Sequence, residues 1–500
     1  MEIEEISQLV TTSKYIADEI KEDYKQWKKG DLIFIKAGTG TGKSYFIKND
    51  LVKYCKDNDK KILYLTNRNT LKKQIINDIG QNSTITVMNY QKVEVSILNN
   101  VRFDNYDYVV MDEAHYFFTD ASFSKKTDIF FKKMIADNSI CKILMTATPL
   151  TLSYFFNKKC LKIDYTYELL TDYSYIDKIV AFNDYNSIDK IIQGIPQDEQ
   201  IIFFSTAKRA YKVAKKYDGT FICSEHNKDD MWNKYVKGTE NEVELNNIIE
   251  NGCFNNHILC TTTVLDNGIN IKEGTKARNI IIDILDIDTF IQVLGRKRVF
   301  EGEKINLYFY AWKDGRRING FRTKMNNTLE MADYLIKNGE IEYTKKKFKT
   351  DISDSRIIDS VVIDNGIHMV INECVYTKCK VDLSLYDAIL DKKHPVKYKK
   401  IIGSALGFED DSIIEMEAEA MEDELVVYLN SITNKSLSKE EKAELIKVIG
   451  LKDGRGRLQK SITQLNAYLN SNKIPFMIIS KRIKKDNKLN TIWVIEKLII

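Results

Sequence analysis

Eight residues do most to limit what this chain can fold into: Ala37-Gly38-Thr39-Gly40-Thr41-Gly42-Lys43-Ser44. They follow the apolar run DLIFIKA, which reads as a buried strand, and they open KSYFIKNDLVKYCKD, which reads as a helix. A glycine-rich turn between strand and helix is the setting that a phosphate-binding loop needs. Glycines let the backbone turn tightly, so several N–H groups can point at one phosphate. The helix N-terminus adds partial positive charge. Lys43 is placed to reach the β and γ phosphates, and Ser44 to ligate Mg²⁺. Ala37 stands where the general pattern has its first glycine.

The same alternation continues. KILYLT, YDYVVMDEA and CKILMTATP read as strands, and LKKQIINDI as a helix. It resumes near residue 178 with strands at 200–206, 257–263, 277–284 and 304–312, and with helices AKRAYKVAKKY and TFIQVLGRKRV. Strands bounded by helices give βαβ units and a parallel sheet. Residues 13–28 read as a helix capped by Ser13 and ended by Gly30, and 316–407 show no clear period. The 500 residues allow three or four domains, at roughly 100–200 residues each. The expected divisions are an N-terminal helix (1–30), two α/β domains (31–170 and 171–315), an accessory region (316–430) and a basic C-terminal module (431–500).

A second constellation is Tyr108-Val109-Val110-Met111-Asp112-Glu113-Ala114-His115. An apolar strand ends in two adjacent carboxylates. Adjacent strand residues face opposite ways, but at a strand end the chain can turn both into one crevice. Asp112 then holds Mg²⁺ through water, and Glu113 orients and deprotonates the attacking water.

Together these segments resemble a superfamily 2 helicase of the DExH type over roughly residues 31–312. Ala37–Ser44 is similar to that superfamily's first motif, which also accounts for Ala37. Asp112–His115 resembles the second and Thr146-Ala147-Thr148 the third. Thr66-Asn67-Arg68 and Asn89-Tyr90-Gln91 resemble segments that contact nucleic acid. Ser205-Thr206 resembles the fourth motif, Thr262 with Gly268-Ile269-Asn270 the fifth, and Gln292-Val293-Leu294-Gly295-Arg296 the sixth. The resemblance implies an α/β fold of two tandem RecA-like parallel-sheet domains plus a C-terminal α+β region. It implies ATP with Mg²⁺, the metal held by Ser44 and Asp112, in a cleft between the domains. Lys43, Asp112 and Glu113 come from the first domain, and Gln292, Arg296 and Arg298 from the second; His115 and Gly268 join the nucleotide-binding set. Thr66, Asn67, Arg68, Tyr90, Gln91, Thr206 and Thr262 are the implied nucleic-acid contacts, since hydroxyl and guanidinium groups bond phosphates without reading sequence.

The chain departs from the pattern in three places. The sixth motif ordinarily closes with an arginine where Val299 stands, and the second arginine is Arg298. Arg296 is the first choice for the cation that reaches the γ-phosphate, and Arg298 the second. Asn270 replaces the commoner aspartate. No adenine-reading glutamine motif is evident before the phosphate loop, Gln8 being the candidate.

Lys+Arg number 75 and Asp+Glu 71, a formal net charge of +4, which excludes a uniformly basic coating protein. The charge is polarised near the C-terminus. Residues 409–424 hold nine acidic and no basic residues, whereas 455–500 hold ten basic and two acidic. The acidic stretch reads as a solvated helix or linker. GRLQKSITQLNAYLNSN reads as a helix, followed by two strands joined at Asp486-Asn487-Lys488, a winged-helix-like order. Lys481, Arg482, Lys484, Lys485 and Lys488 are then candidate phosphate contacts, and Trp493 reads as core. The eight cysteines form no CxxC pair. Cys374 and Cys379, with His368 nearby, match no common zinc spacing and read as reduced, partly buried thiols. The first residues lack the features of a signal peptide, and no apolar run of membrane-spanning length occurs, so a bacterial or host cytoplasm is the expected location. The expected protein is a monomer, with room for a protein partner, acting as a helicase or translocase. Single-stranded or forked DNA is favoured over RNA. The Lys-, Ile- and Asn-rich composition points to a phage or mobile element. The alternative is an ATPase switch, or the motor subunit of a nuclease or defence complex; no nuclease motif is evident in 316–500.

Overall fold

The computed structural model describes residues 14–67, 83–98, 103, 105–119, 121, 125–225, 227–263, 270–349, 357–363, 366–416, 424–451, 457–472, 474–485 and 488–498. Gln8, Ser13, Arg68, Gly268 and the expected helix LKKQIINDI lie outside them. The chain divides into two compact units, Met1–Met416 and Glu417–Ile500.

The first unit contains two parallel sheets. The strands β1 (Leu32–Ala37), β2 (Ile62–Thr66), β3 (Ile85–Asn89), β4 (Tyr108–Asp112), β5 (Cys141–Thr146) and β6 (Tyr165–Leu169) pair in the order β3-β2-β4-β5-β1-β6. Every described pairing is parallel. Strands β2, β4 and β5 are buried at every position, as continuous apolar runs covered on both faces must be. The second sheet holds β7 (Ile176–Phe182), β8 (Gln200–Phe204), β9 (Thr220–Ile222), β10 (Ile258–Thr261), β11 (Ala277–Ile282), β12 (Ile305–Tyr310) and β15 (Ile414–Met416). Its order is β15-β7-β12-β11-β8-β10-β9, again parallel. These are the two tandem RecA-like domains.

Three expectations need correction. The stretch 13–28 is not one helix: Ile16–Ile20 ends at Lys21, which turns with φ 49°, and a separate 3₁₀ turn follows at Asp23–Lys25. The helix read as TFIQVLGRKRV is instead Ile287–Leu294, begun by the Asp286 side chain accepting from the Thr289 amide. Gly295 ends it, so Arg296 and Arg298 lie on the loop beyond. The acidic stretch is not helical where described before residue 417. It forms a 3₁₀ turn, Asp410–Ser412, and then β15, which extends the second sheet.

Residues after β12 join both domains. A helical run, Gly315–Lys349, is broken at Gly339 (φ 79°, ψ 174°). The hairpin β13 (Ile358–Ile363) and β14 (Gly366–Ile371) follows, then the helix Glu373–Leu390. Leu329, Leu335, Tyr343, Cys374 and Cys379 are buried in one core with Phe117, Phe131 and Phe155 of the first domain. Tyr398, Ile402, Leu406 and Ile413 are buried with Phe290 and Phe309 of the second.

The second unit runs helix Glu424–Ile432, strand β16 (Ser436–Leu437), helices Lys439–Ile449 and Ile462–Ser471, then β17 (Phe476–Lys485) and β18 (Lys488–Lys497). The antiparallel sheet has the order β16-β18-β17. Ser438 and Glu441 form a reciprocal cap on the middle helix. This is an α+β arrangement of helices on an antiparallel sheet. Trp493 packs against its core.

Candidate nucleotide site

Strand β1 delivers the phosphate loop, and the loop folds as its sequence demands. Gly40 and Gly42 adopt φ of 84° and 81°, the left-handed region that only glycine enters freely. Gly38 has no room for a side chain, since a Cβ there would lie 1.7 Å from Thr171 Oγ1. Thr41 Oγ1 donates to the carbonyl of Gly38 at 2.7 Å. Lys43 Nζ donates to the carbonyls of Ala37 and Gly38, both at 2.7 Å. It is buried, and burial pulls its ammonium below the usual lysine range against the opposing pull of Glu113 and Asp112. Lys43 opens the helix; Ser44 is the next residue.

Asp112 is the last residue of β4. Glu113 then takes φ 52°, which turns the chain sharply and brings two sequence neighbours to one crevice. Asp112 is held on both oxygens: Tyr64 donates to Oδ2 at 2.6 Å, and the Glu113 amide to Oδ1 at 3.1 Å. Burial, with Glu113 adding, pushes the Asp112 carboxyl up to about 6, while Tyr64 and Lys43 oppose the rise. Two carboxylates thus share one lysine in a buried crevice. A hard divalent cation on oxygen ligands would relieve that imbalance, so the Ser44 and Asp112 pair fits Mg²⁺.

A chain of polar contacts runs from this crevice into the second domain. His115 Nδ1 lies 3.5 Å from Glu113 Oε2 and 3.3 Å from Thr146 Oγ1. Thr146 Oγ1 accepts from the Thr148 amide at 3.0 Å. Gln292 Nε2, in the second domain, donates to Thr148 Oγ1 at 3.4 Å. Thr151 Oγ1 donates to Asp288 at 3.1 Å a turn away.

The sixth-motif loop presses on the phosphate loop. A Cβ on Gly295 would meet Thr39 Oγ1 at 2.6 Å. A guanidinium nitrogen of Arg298 lies 3.9 Å from where a Cβ on Gly40 would stand. Burial and the neighbouring Arg296 pull the Arg298 guanidinium below its ordinary range, and Glu113 opposes them. Arg298 lines a cavity of about 780 Å³ with Thr39, Gly40 and Thr41. Arg296 does not line it and is 4 % exposed. Arg298 thus borders the phosphate loop, while Arg296 is buried beside it.

The expected nucleic-acid contacts fare unevenly. Thr66 and Asn67 follow each other at the end of β2, and Thr66 Oγ1 and Asn67 Oδ1 are buried with no hydrogen-bond partner among the described residues. Gln91 and Thr206 are exposed, and Thr262 is half-buried. Tyr90 is a correction: it is fully buried, stacks on Tyr116 and donates to the backbone carbonyl of Asp112 at 2.9 Å. It braces β4 from within. Lys481 lies on β17, paired with Glu496 at 2.9 Å, and Arg482, Lys484 and Lys485 follow on the same strand. Tyr64 is the site residue that sequence reading missed. Its signal was a lone tyrosine inside the buried aliphatic run Ile62–Thr66.

Residues 47–153 match the family model described as DEAD/DEAH box helicase. That segment is thus similar to a DEAD/DEAH box helicase domain. No curated protein matches it. Among solved structures it is similar to Dbp5 of S. cerevisiae bound to RNA and ADP BeF3, at 15 % identity and a TM-score of 0.41, covering 56 % of this chain and 79 % of that one. A single-substitution variant of Dbp5 with the same ligands gives 16 % identity, the same TM-score and the same coverage. No helix among the described residues is long and apolar enough to cross a membrane.

Proposed function

We propose that this chain is an ATP-dependent motor that moves on or unwinds nucleic acid, DNA in preference to RNA. The observation that carries the reading is the polar chain from Glu113 through His115, Thr146 and Thr148 to Gln292. It links the hydrolytic carboxylate to the facing domain, so the state of the cleft and the position of that domain are coupled. ATP is the substrate, and Mg²⁺, held by Ser44 and Asp112, would shield phosphate charge. Lys43 binds the β and γ phosphates. Glu113 orients the attacking water and takes its proton. Arg298 reaches in from the second domain and stabilises charge on the transferring phosphoryl group. Loss of the γ-phosphate removes what Arg298 grips, and the domains part.

The preference for DNA rests on the winged-helix-like order of residues 424–497 with its basic hairpin. The AT-rich-genome composition favours a role in replication or recombination of a phage or mobile element.

The test is ATP hydrolysis alone and with single-stranded DNA, duplex DNA or RNA, with Glu113→Gln as control. Stimulation by DNA above RNA, abolished in Glu113→Gln with ATP binding retained, is the expected result. Turnover indifferent to every polymer would favour a switch over a motor, and stimulation by RNA alone would overturn the DNA preference.

A further inference from the structure

The helix Glu373–Leu390 is rooted in the first domain. The Cys374 amide donates to Asp128 at 3.1 Å, and Glu373 pairs with Lys159 at 2.7 Å and with Lys132 at 3.8 Å. Cys374, Val375 and Cys379 are buried beside Phe131 and Phe155. From this base Lys378 crosses to the second domain. Its Nζ donates to Asp286 Oδ2 and, at 2.7 Å, to Asp382 on its own helix, and it stands 3.9 Å from Asp288. The Lys378 side chain is 16 % exposed, so these contacts are little screened by solvent.

The position of the two aspartates gives the contact its meaning. Asp286 caps the helix Ile287–Leu294, accepting from the Thr289 amide at 2.8 Å. That helix carries Gln292 and leads through Gly295 to Arg298 at the phosphate loop. Its C-terminal end therefore faces the nucleotide site, while its N-terminal end is gripped by a cation anchored in the other domain. An apolar contact tolerates sliding, but a buried charge shared between named oxygens fixes register.

We infer that Lys378 is a positioning residue: it sets the angle at which the helix Ile287–Leu294 presents Gln292 and Arg298 to the cleft, making the accessory helix a working part of domain closure. The inference rests on the reading of the cleft as an ATP site, but its primary test does not.

Spin labels are placed on Cys160, which is exposed, and on Lys237→Cys in the second domain, with Cys253→Ser removing a half-exposed thiol. Asp286→Asn keeps a capping acceptor while removing the charge, and Lys378→Met keeps the stem; the first leaves the accessory helix intact should the second fail to fold. The expected result is one narrow interdomain distance in the otherwise unaltered protein and a broadened one in Asp286→Asn. Turnover at saturating ATP and polymer falls about tenfold, with ADP affinity kept within twofold, because ADP is held by the phosphate loop. Unchanged distances overturn the inference, as does a turnover loss that only tracks a fall in ADP affinity. A protein that hydrolyses no ATP with any polymer refutes the proposed function, while the distances still decide the role of Lys378.

Discussion

The phenol of Tyr64 donates to Asp112 Oδ2 at 2.6 Å, from a strand position with no solvent exposure. The bond spans neighbouring strands β2 and β4 and fixes the rotation of the carboxylate assigned to Mg²⁺. Tyr64→Phe leaves that oxygen without its protein donor. Stability should fall by about 1–3 kcal/mol, the cost of an unsatisfied buried polar group. The Mg²⁺ needed for half-maximal turnover should rise. Thermal denaturation and an Mg²⁺ titration of ATP hydrolysis check the two effects, and an unaltered Mg²⁺ requirement would remove Tyr64 from the site.

Gln292 reaches Thr148 across the domain boundary, and removing its amide cuts the polar chain at one link. Gln292→Ala should lower polymer-stimulated turnover about tenfold, or about 1.4 kcal/mol in the barrier, with ADP affinity unchanged. Thr148→Val should reproduce the loss. In a double mutant the two losses should combine to less than their sum, because they break one contact. Full additivity would show that the contact carries no coupling.

Much of this was legible because it is local. The phosphate loop, the strand ending in Asp112 and both sheets follow from apolar runs and glycines close together in sequence. What escaped was set by distance or by edges. β6, read YTYEL, is an edge strand with exposed alternate positions, so no buried run announced it. β15 hides within an acidic stretch, and its pairing with β7 joins residues far apart in sequence. The placement of Arg296 and Arg298 turned on Gly295, which ends the helix before either. Tyr64 with Asp112, and Lys378 with Asp286, unite residues whose meeting no periodicity encodes.

The two arginines make a sharp comparison. Arg298 faces the phosphate loop and feels Glu113. Arg298→Ala should cost turnover on the order of 10³-fold, as loss of an arginine finger does, with little change in melting temperature. Arg296 is buried beside it, its carbonyl accepting from the Ile271 amide. Arg296→Ala should cost stability first and turnover less. Kinetics and melting curves on both variants decide the order.

Asp288 gives the molecule a pH-dependent stability. Burial pushes its carboxyl up to about 7, Asp286 and Asp382 add, and Lys378 and Thr151 oppose. A carboxyl that holds its proton more tightly when folded than in the unfolded chain, where it titrates at about 3.9, favours the native state below that value. The advantage is lost as pH rises through about 7. Asp288→Asn cannot ionise and keeps an oxygen for Thr151. Its stability relative to the unaltered protein should therefore increase by about 1–3 kcal/mol between pH 5 and pH 8, since each tenfold difference in proton affinity between the folded and unfolded chain is worth about 1.4 kcal/mol. Paired melting curves at the two pH values measure it directly, because contributions from other titrating groups cancel between the proteins. A gain independent of pH would mean that Asp288 stays ionised throughout, stabilised by Lys378 and Thr151.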